Sequence, residues 1–156
     1  GTVTTTTNGF GRLTFLGTSA VSGQVGTGAA ALSVVSAGAA GEVVTFNGDV
    51  FATEVDITGT GTVNADSITG SVVFQANGVL SIDDNEDITG TITNTSGAAA
   101  GTVTAEGTTT FSDQLGAAGV AALSAVNAGA AGEVLAPKAA WDEERAVAEA
   151  EAEARA

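Results

Sequence analysis

The sequence predicts an all-β fold, a right-handed parallel β-helix (β-solenoid) of about five or six turns followed by a C-terminal α-helix. Three observations predict it: a long internal repeat, short turn-bounded β runs recurring at the length of one solenoid turn, and a composition dominated by small residues. Helical periodicity is absent before residue 135, so the helix is confined to the tail.

The repeat comes first. Ala30 to Val43 (AALSVVSAGAAGEV) returns at Ala121 to Val134 (AALSAVNAGAAGEV) with twelve of fourteen positions identical. Upstream, Gly11 to Gly26 aligns with Gly101 to Gly116, and Gly1-Thr2-Val3-Thr4 with Gly90-Thr91-Ile92-Thr93. The offset drifts from 89 to 90 to 91 residues, the behaviour of a stacked repeat that absorbs small insertions in its loops. Residues 1–135 therefore hold about one and a half copies of a unit of some ninety residues.

Within that unit, Val, Ile, Thr and Phe runs are bounded by Gly, Asn and Asp. Asn8-Gly9, Asn47-Gly48 and Asn77-Gly78 mark turns, because both residue types accept left-handed backbone conformations. A strand, turn, strand cadence starts at Leu13, Val63, Leu80 and Val103, with Val44 to Val55 as a looser member, giving coils of 17 to 31 residues. Ile-Thr-Gly occurs at Ile57, Ile68 and Ile88. Hairpins do not generate such quasi-repeats, whereas stacked turns do. Apolar residues such as Val63, Ile68 and Val72 then point inward while Thr and Ser ladder outside. The right hand follows from the strong bias of parallel crossover connections.

Gly26 to Gly41 (GTGAAALSVVSAGAAG) is the least strand-like part of the body, and its Ala content predicts a short helix or a long loop over one end of a turn. Leu32 and Val35, spaced i, i+3 and matched by Leu123 and Val126, would anchor it.

Composition supports the stack. The chain carries 22 Gly, 4% aromatic residues, six Phe, one Trp, one Pro and no Met, so its interior must be built from Val, Ile, Leu, Ala and Phe between closely spaced backbones. A net charge of −14, with Arg12, Lys138, Arg145 and Arg155 as the cations, provides no basic footprint and argues against nucleic-acid binding. The lack of Cys favours export. No apolar run is long enough to span a bilayer, and the start at Gly1 without Met reads as a processed or excised piece whose signal or anchor lies elsewhere.

After Leu135 the composition changes. Residues 136–156 contain AAWDEERAVAEAEAEARA, without Gly or Thr. Pro137 suits the first turn of a helix, Asp142, Glu143 and Glu144 its positive end, and Arg155 its negative end. Docked through Trp141 and Val147, such a helix would cap the terminal turn of a solenoid; the rival is a solvated helix that associates with other chains. Sharing none of the repeat's chemistry, it is native or grafted.

Candidate chemistry is sparse. Asp83, Asp84, Glu86 and Asp87 surround Asn85 in a dense acidic turn that offers oxygens to a hard cation. The turn lacks both the EF-hand spacing and the Gly-Gly-x-Gly-x-Asp repeat, so we read it as a solvated connection. With no His, no Cys and no Gly-x-Ser-x-Gly elbow, nucleophilic catalysis has no foothold. Asp49, Glu54 and Asp56 are the group to inspect for paired-carboxylate chemistry, Glu54 and Asp56 sharing a strand face, but Arg12 is the sole cation of the body. Gly26-Thr27-Gly28 lacks phosphate-loop spacing and reads as a turn. We assign no catalytic residue, cofactor or metal, and the expected role is not enzymatic.

The run Val44-Thr45-Phe46-Asn47-Gly48-Asp49-Val50-Phe51-Ala52-Thr53, preceded by Ala-Gly-Ala-Ala-Gly and by Val21-Ser22-Gly23-Gln24-Val25-Gly26, resembles the passenger-region repeats of rickettsial-type surface-antigen autotransporters. The resemblance covers most of residues 1–135 and none of the tail. It implies a secreted β-helical stalk on the outer surface of a Gram-negative cell, serving adhesion, surface coating or self-association. The implied partners are a host-surface protein or glycan, or copies of itself. No catalytic residue belongs to the pattern, and the membrane barrel of such proteins is not part of this chain.

Overall fold

The computed structural model describes residues 1–116, 122–127 and 135–137. Their fourteen strands follow in chain order: β1 (Arg12–Thr14), β2 (Ser19–Val21), β3 (Leu32–Ala37), β4 (Val43–Phe46), β5 (Val50–Ile57), β6 (Thr62–Ala65), β7 (Ile68–Phe74), β8 (Val79–Ile82), β9 (Asp87–Thr89), β10 (Ile92–Asn94), β11 (Thr102–Ala105), β12 (Thr109–Phe111), β13 (Ala125–Asn127) and β14 (Leu135–Pro137). Every pairing between them is parallel. The chain is a β-solenoid of about six turns.

Three stacks of strands run up the solenoid. The first is β2-β4-β6-β8-β11-β13. The second starts at Val3, which bridges Val25, passes from Val25 to Val50, and continues through the first halves of β5 and β7 to β9, β12 and β14. The third contains β1, β3, the second halves of β5 and β7, and β10, followed by a bridge from Ile92 to Leu115. Paired residues lie between 17 positions apart, as Val63 and Leu80 do, and 26 apart, as Phe111 and Pro137 do.

The core is a set of side-chain columns. Val44, Val63, Leu80 and Val103 stack on the first face, Val25, Val50, Ile68, Ile88 and Phe111 on the second, and Leu13, Val35, Val55, Val72 and Ile92 on the third. All but Leu13, at the edge of the stack, are buried. Large and small residues alternate in the column Val21, Phe46, Ala65, Ile82, Ala105, so adjacent turns approach without overpacking. Each fully buried aliphatic or aromatic side chain contributes roughly 1.5–3 kcal/mol.

The segment expected to be a helix or an end loop is instead the site of β3, paired between β1 and β5 inside the stack. Leu32 and Val35 are both buried at i, i+3 because the chain turns a corner between them, leaving Ser33 and Val34 partly exposed. Pairing on both edges overrides the helical preference of the alanines. The other expected corrections are smaller. Pro137 ends β14 rather than opening a helix. Ile68 and Ile88 pair across successive turns, but Ile57 lies on a different face, opposite Phe74. The rest of the tail, including Trp141 and Val147, lies outside the described residues.

The two repeat copies do not occupy equivalent faces. Leu13 is on the third face and its repeat partner Val103 on the first; Ala20 is on the first and Thr110 on the second; Val25 is on the second and Leu115 on the third. Val35 and Val126 follow the same rule, third to first, as do Val44 and Leu135, first to second. From Leu13 to Val103 the chain crosses thirteen faces, four full turns plus one, so each unit advances by four and one-third turns. Inward positions on all three faces demand the same small apolar residues, so one sequence fits any of them.

Candidate functional site

The sequence grouped Asp49, Glu54 and Asp56, but the fold separates them. Asp49 precedes β5 at the corner between the first and second faces, whereas Glu54 and Asp56 lie on the third-face half of β5. Arg12, two strands away on β1, places Nη2 3.7 Å from Asp56 Oδ2. Asp56 is buried, and its Oδ1 has no hydrogen-bond partner. Burial first, then the Asp56 charge and a hydrogen bond with Asp56, push the Glu54 carboxyl above its ordinary value, with Arg12 opposing. The pair is a local charge cluster tied to one cation, and Asp49 takes no part in it.

Asp49 belongs to a second cluster. The residue following each first-face strand falls into one column, shown by backbone bonds from Asn47 N to Val21 O, Asp66 N to Phe46 O, Asp83 N to Ala65 O and Glu106 N to Ile82 O. Together with Ser22, which follows β2, the described members number five, and three of them are acids. Burial, followed by the charges of Glu86, Asp83 and Asp49, raises the Asp66 carboxyl above its ordinary 3.8. This column was legible in advance, since Asp66, Asp83 and Glu106 each lie three residues beyond the coil starts Val63, Leu80 and Val103. Aligning the coils by their starts would have found it.

The acidic turn sends its side chains in different directions. Asp84 Oδ1 accepts from Thr108 N at 2.9 Å and Asp87 Oδ1 from Thr110 N at 3.2 Å, both on the following turn. Glu86 Oε2 accepts from Ser67 Oγ at 2.6 Å on the preceding one. Asn85, with a φ of 63°, makes the reversal and donates its amide to Thr108 O. These carboxylates join neighbouring turns of the solenoid. Among the described residues, no group of three or more acids, His or Cys is arranged to hold a metal ion.

A sign follows for pH. A carboxyl with a raised folded-state value binds protons more readily in the folded chain, so its contribution favours folding at low pH and is lost as pH rises through that value. We expect the melting temperature to climb as pH falls from 7 toward 4. Asp66→Asn should raise it at pH 7 by about 1–2 °C and flatten the slope; thermal melts at several pH values check this, and a lower melting temperature for the variant at pH 7 would reverse the assignment.

The outward side of the first face differs from both clusters. Its two columns are Val43, Thr62, Val79, Thr102 and Ala125, and Thr45, Asn64, Ser81, Thr104 and Asn127. None carries a charge, in a chain with 18 acids. Hydrogen bonds along the second column, from Asn64 Nδ2 to Thr45 Oγ1 at 3.3 Å and from Asn127 Nδ2 to Thr104 Oγ1 at 3.4 Å, hold part of it in a fixed array. Parallel neighbours about 4.8 Å apart make this face a regular lattice of methyl, hydroxyl and amide groups.

The fold and these surfaces define the chain as a β-solenoid repeat protein. It matches no protein-family model, no curated protein and no solved structure. No helix among the described residues is long and apolar enough to cross a membrane.

Proposed function

We propose that the chain is a non-enzymatic structural or adhesive surface protein, a solenoid stalk whose first face is an interaction surface for a host-surface protein or glycan. The observation that carries this reading is the uncharged lattice of the first face, extending over five successive strands of a strongly acidic chain. Binding there desolvates mainly hydroxyls, amides and methyls, which costs less than stripping carboxylates, and the Glu106 carboxylate that meets the face is already hydrogen-bonded to Ser81 Oγ. The resemblance to autotransporter passengers supports a place outside the cell, on the bacterial outer surface or secreted. In this reading the solenoid is right-handed, and the part of the tail after Pro137 forms a helix that caps its C-terminal end.

The test is adhesion of the immobilised chain to host cells and to arrays of host glycans and matrix proteins. Thr62→Lys with Thr102→Lys should lower binding at least about tenfold, while Thr69→Lys on another face leaves it unchanged. Equal binding by all three proteins would remove the first face from the function. A second reading, a self-assembling filament subunit or engineered solenoid scaffold, is favoured by one observation: β1 and β2 are edge strands. Light scattering separates the two, since a filament subunit grows with concentration and a stalk stays at one mass.

A further inference from the structure

We infer that the edge formed by β1 and β2 is a docking site for a strand pair with the sequence of Val79–Thr89, carried by another unit of the same repeat. The inference stands on the internal repeat and is independent of the proposed surface role.

The second copy shows what covers this edge. Its strands equivalent to β1 and β2 are β11 and β12, and these pair with β8 and β9. Thr102, Glu106 and Ser112 donate their amides to the carbonyls of Gly78, Ile82 and Ile88. Their equivalents, Arg12, Leu16 and Ser22, lie on or beside the open edge. The amide of Phe15, between Arg12 and Leu16, points the other way and donates to Ser36 O.

One contact of this kind is already present in both copies. Ile92 bridges Leu115, with Ile92 N donating to Gln114 O and Gly116 N to Ile92 O. Val3 bridges Val25 in the same way, with Val3 N donating to Gln24 O and Gly26 N to Val3 O. The equivalence thus holds bond for bond at the point where the preceding turn leaves off. Side chains agree. Val103, Ala105 and Phe111 are buried in the second copy, while their equivalents Leu13, Phe15 and Val21 are only partly buried. Leu16 is 89% exposed, where its equivalent Glu106 accepts a hydrogen bond from Ser81 Oγ on β8. A parallel strand pair seated here covers the ends of three core columns and satisfies a row of edge amides.

The experiment places a copy of residues 78–89 directly before Gly1, so that the carbonyl equivalent to Gly78 O is present for the Arg12 amide and the new junction reproduces Thr89-Gly90. Amide exchange is followed by NMR in the full chain with and without this extension. Exchange at Arg12, Leu16 and Ser22 should slow at least about tenfold, at every protein concentration and with an unchanged monomer mass. An extension with proline at the positions copied from Leu80 and Ile88 should give no such slowing. Interior amides such as Val55 report that the body stays folded in each protein. Unchanged exchange at the three amides, equal protection by the proline-bearing extension, or protection that appears only as the chain associates would overturn the inference, the last by assigning the edge to a second copy of the chain.

Discussion

Gly70→Ala should cost about 3–5 kcal/mol of stability, one of the two largest single effects we expect in the described body. Gly70 sits where β7 passes from the second face to the third, with a φ of 142° that residues bearing a Cβ rarely adopt. A methyl group there would lie on the Ala52 carbonyl oxygen of the turn beneath. On β5 the same corner takes two residues, Ala52 and Thr53, between Phe51 and Glu54, whereas β7 makes it with one. Gly90 repeats the solution one turn on, with a φ of 139° and the Gly70 carbonyl beneath it. The obstacle is backbone, which cannot swing aside without breaking the register of both strands. Gly17→Ala is the control, because nothing lies within 4 Å of its Cβ position, and it should change stability by less than about 0.5 kcal/mol. Urea melts of the two variants measure the contrast; equal midpoints would remove the corner glycines from the account.

Phe46→Ala should cost about as much, 3–5 kcal/mol by the usual range for truncating a buried phenylalanine. Phe46 is 1% exposed and meets Phe15 edge-on, with ring centroids 5.4 Å apart and planes at 83°. Above it in the column is Ala65, below it Val21. The cavity is therefore bounded along the axis by small residues that cannot fill it. Ala65→Phe alone should overpack, at a cost of about 1–3 kcal/mol. In the double variant the ring moves up one turn into the space vacated below it, and the combined loss should fall short of the sum by at least about 1 kcal/mol. Strict additivity would mean that the two positions are not neighbours along the stack.

Much of this architecture is legible in the residues because a solenoid writes its period into the chain. The coil starts Val63, Leu80 and Val103 are direct partners in the first-face ladder. Ile68-Thr69-Gly70 and Ile88-Thr89-Gly90 are likewise one above the other, each an inward residue, an outward residue and the corner glycine. The Asn-Gly pairs are connections: Asn8 Oδ1 accepts from Ala31 N, and Asn77 Oδ1 from Gly101 N, each in the next turn. What misled the reading was local. Leu13 shares the cadence of Val103 yet sits on another face, because ninety residues do not make a whole number of turns. Ile57 shares a triplet with Ile68 but closes a third-face strand. Leu32 and Val35 imitate helical spacing only because a corner falls between them. The separation of Asp49 from Glu54 has the same cause, since a corner divides β5 and proximity along the chain does not put both residues on one face.

The central claim is that successive turns lie in parallel and in register, and a pair of cysteine crosslinks tests it most directly in a chain that has no Cys of its own. Thr45 and Asn64 are paired on adjacent turns of the first face and their side chains touch. Thr45→Cys with Asn64→Cys should form an intramolecular disulfide readily under mild oxidation, the separation of adjacent strands falling within disulfide reach. Thr45→Cys with Ser81→Cys spans two turns, about 10 Å, and should stay reduced. Closure of the second pair without the first would contradict the stack.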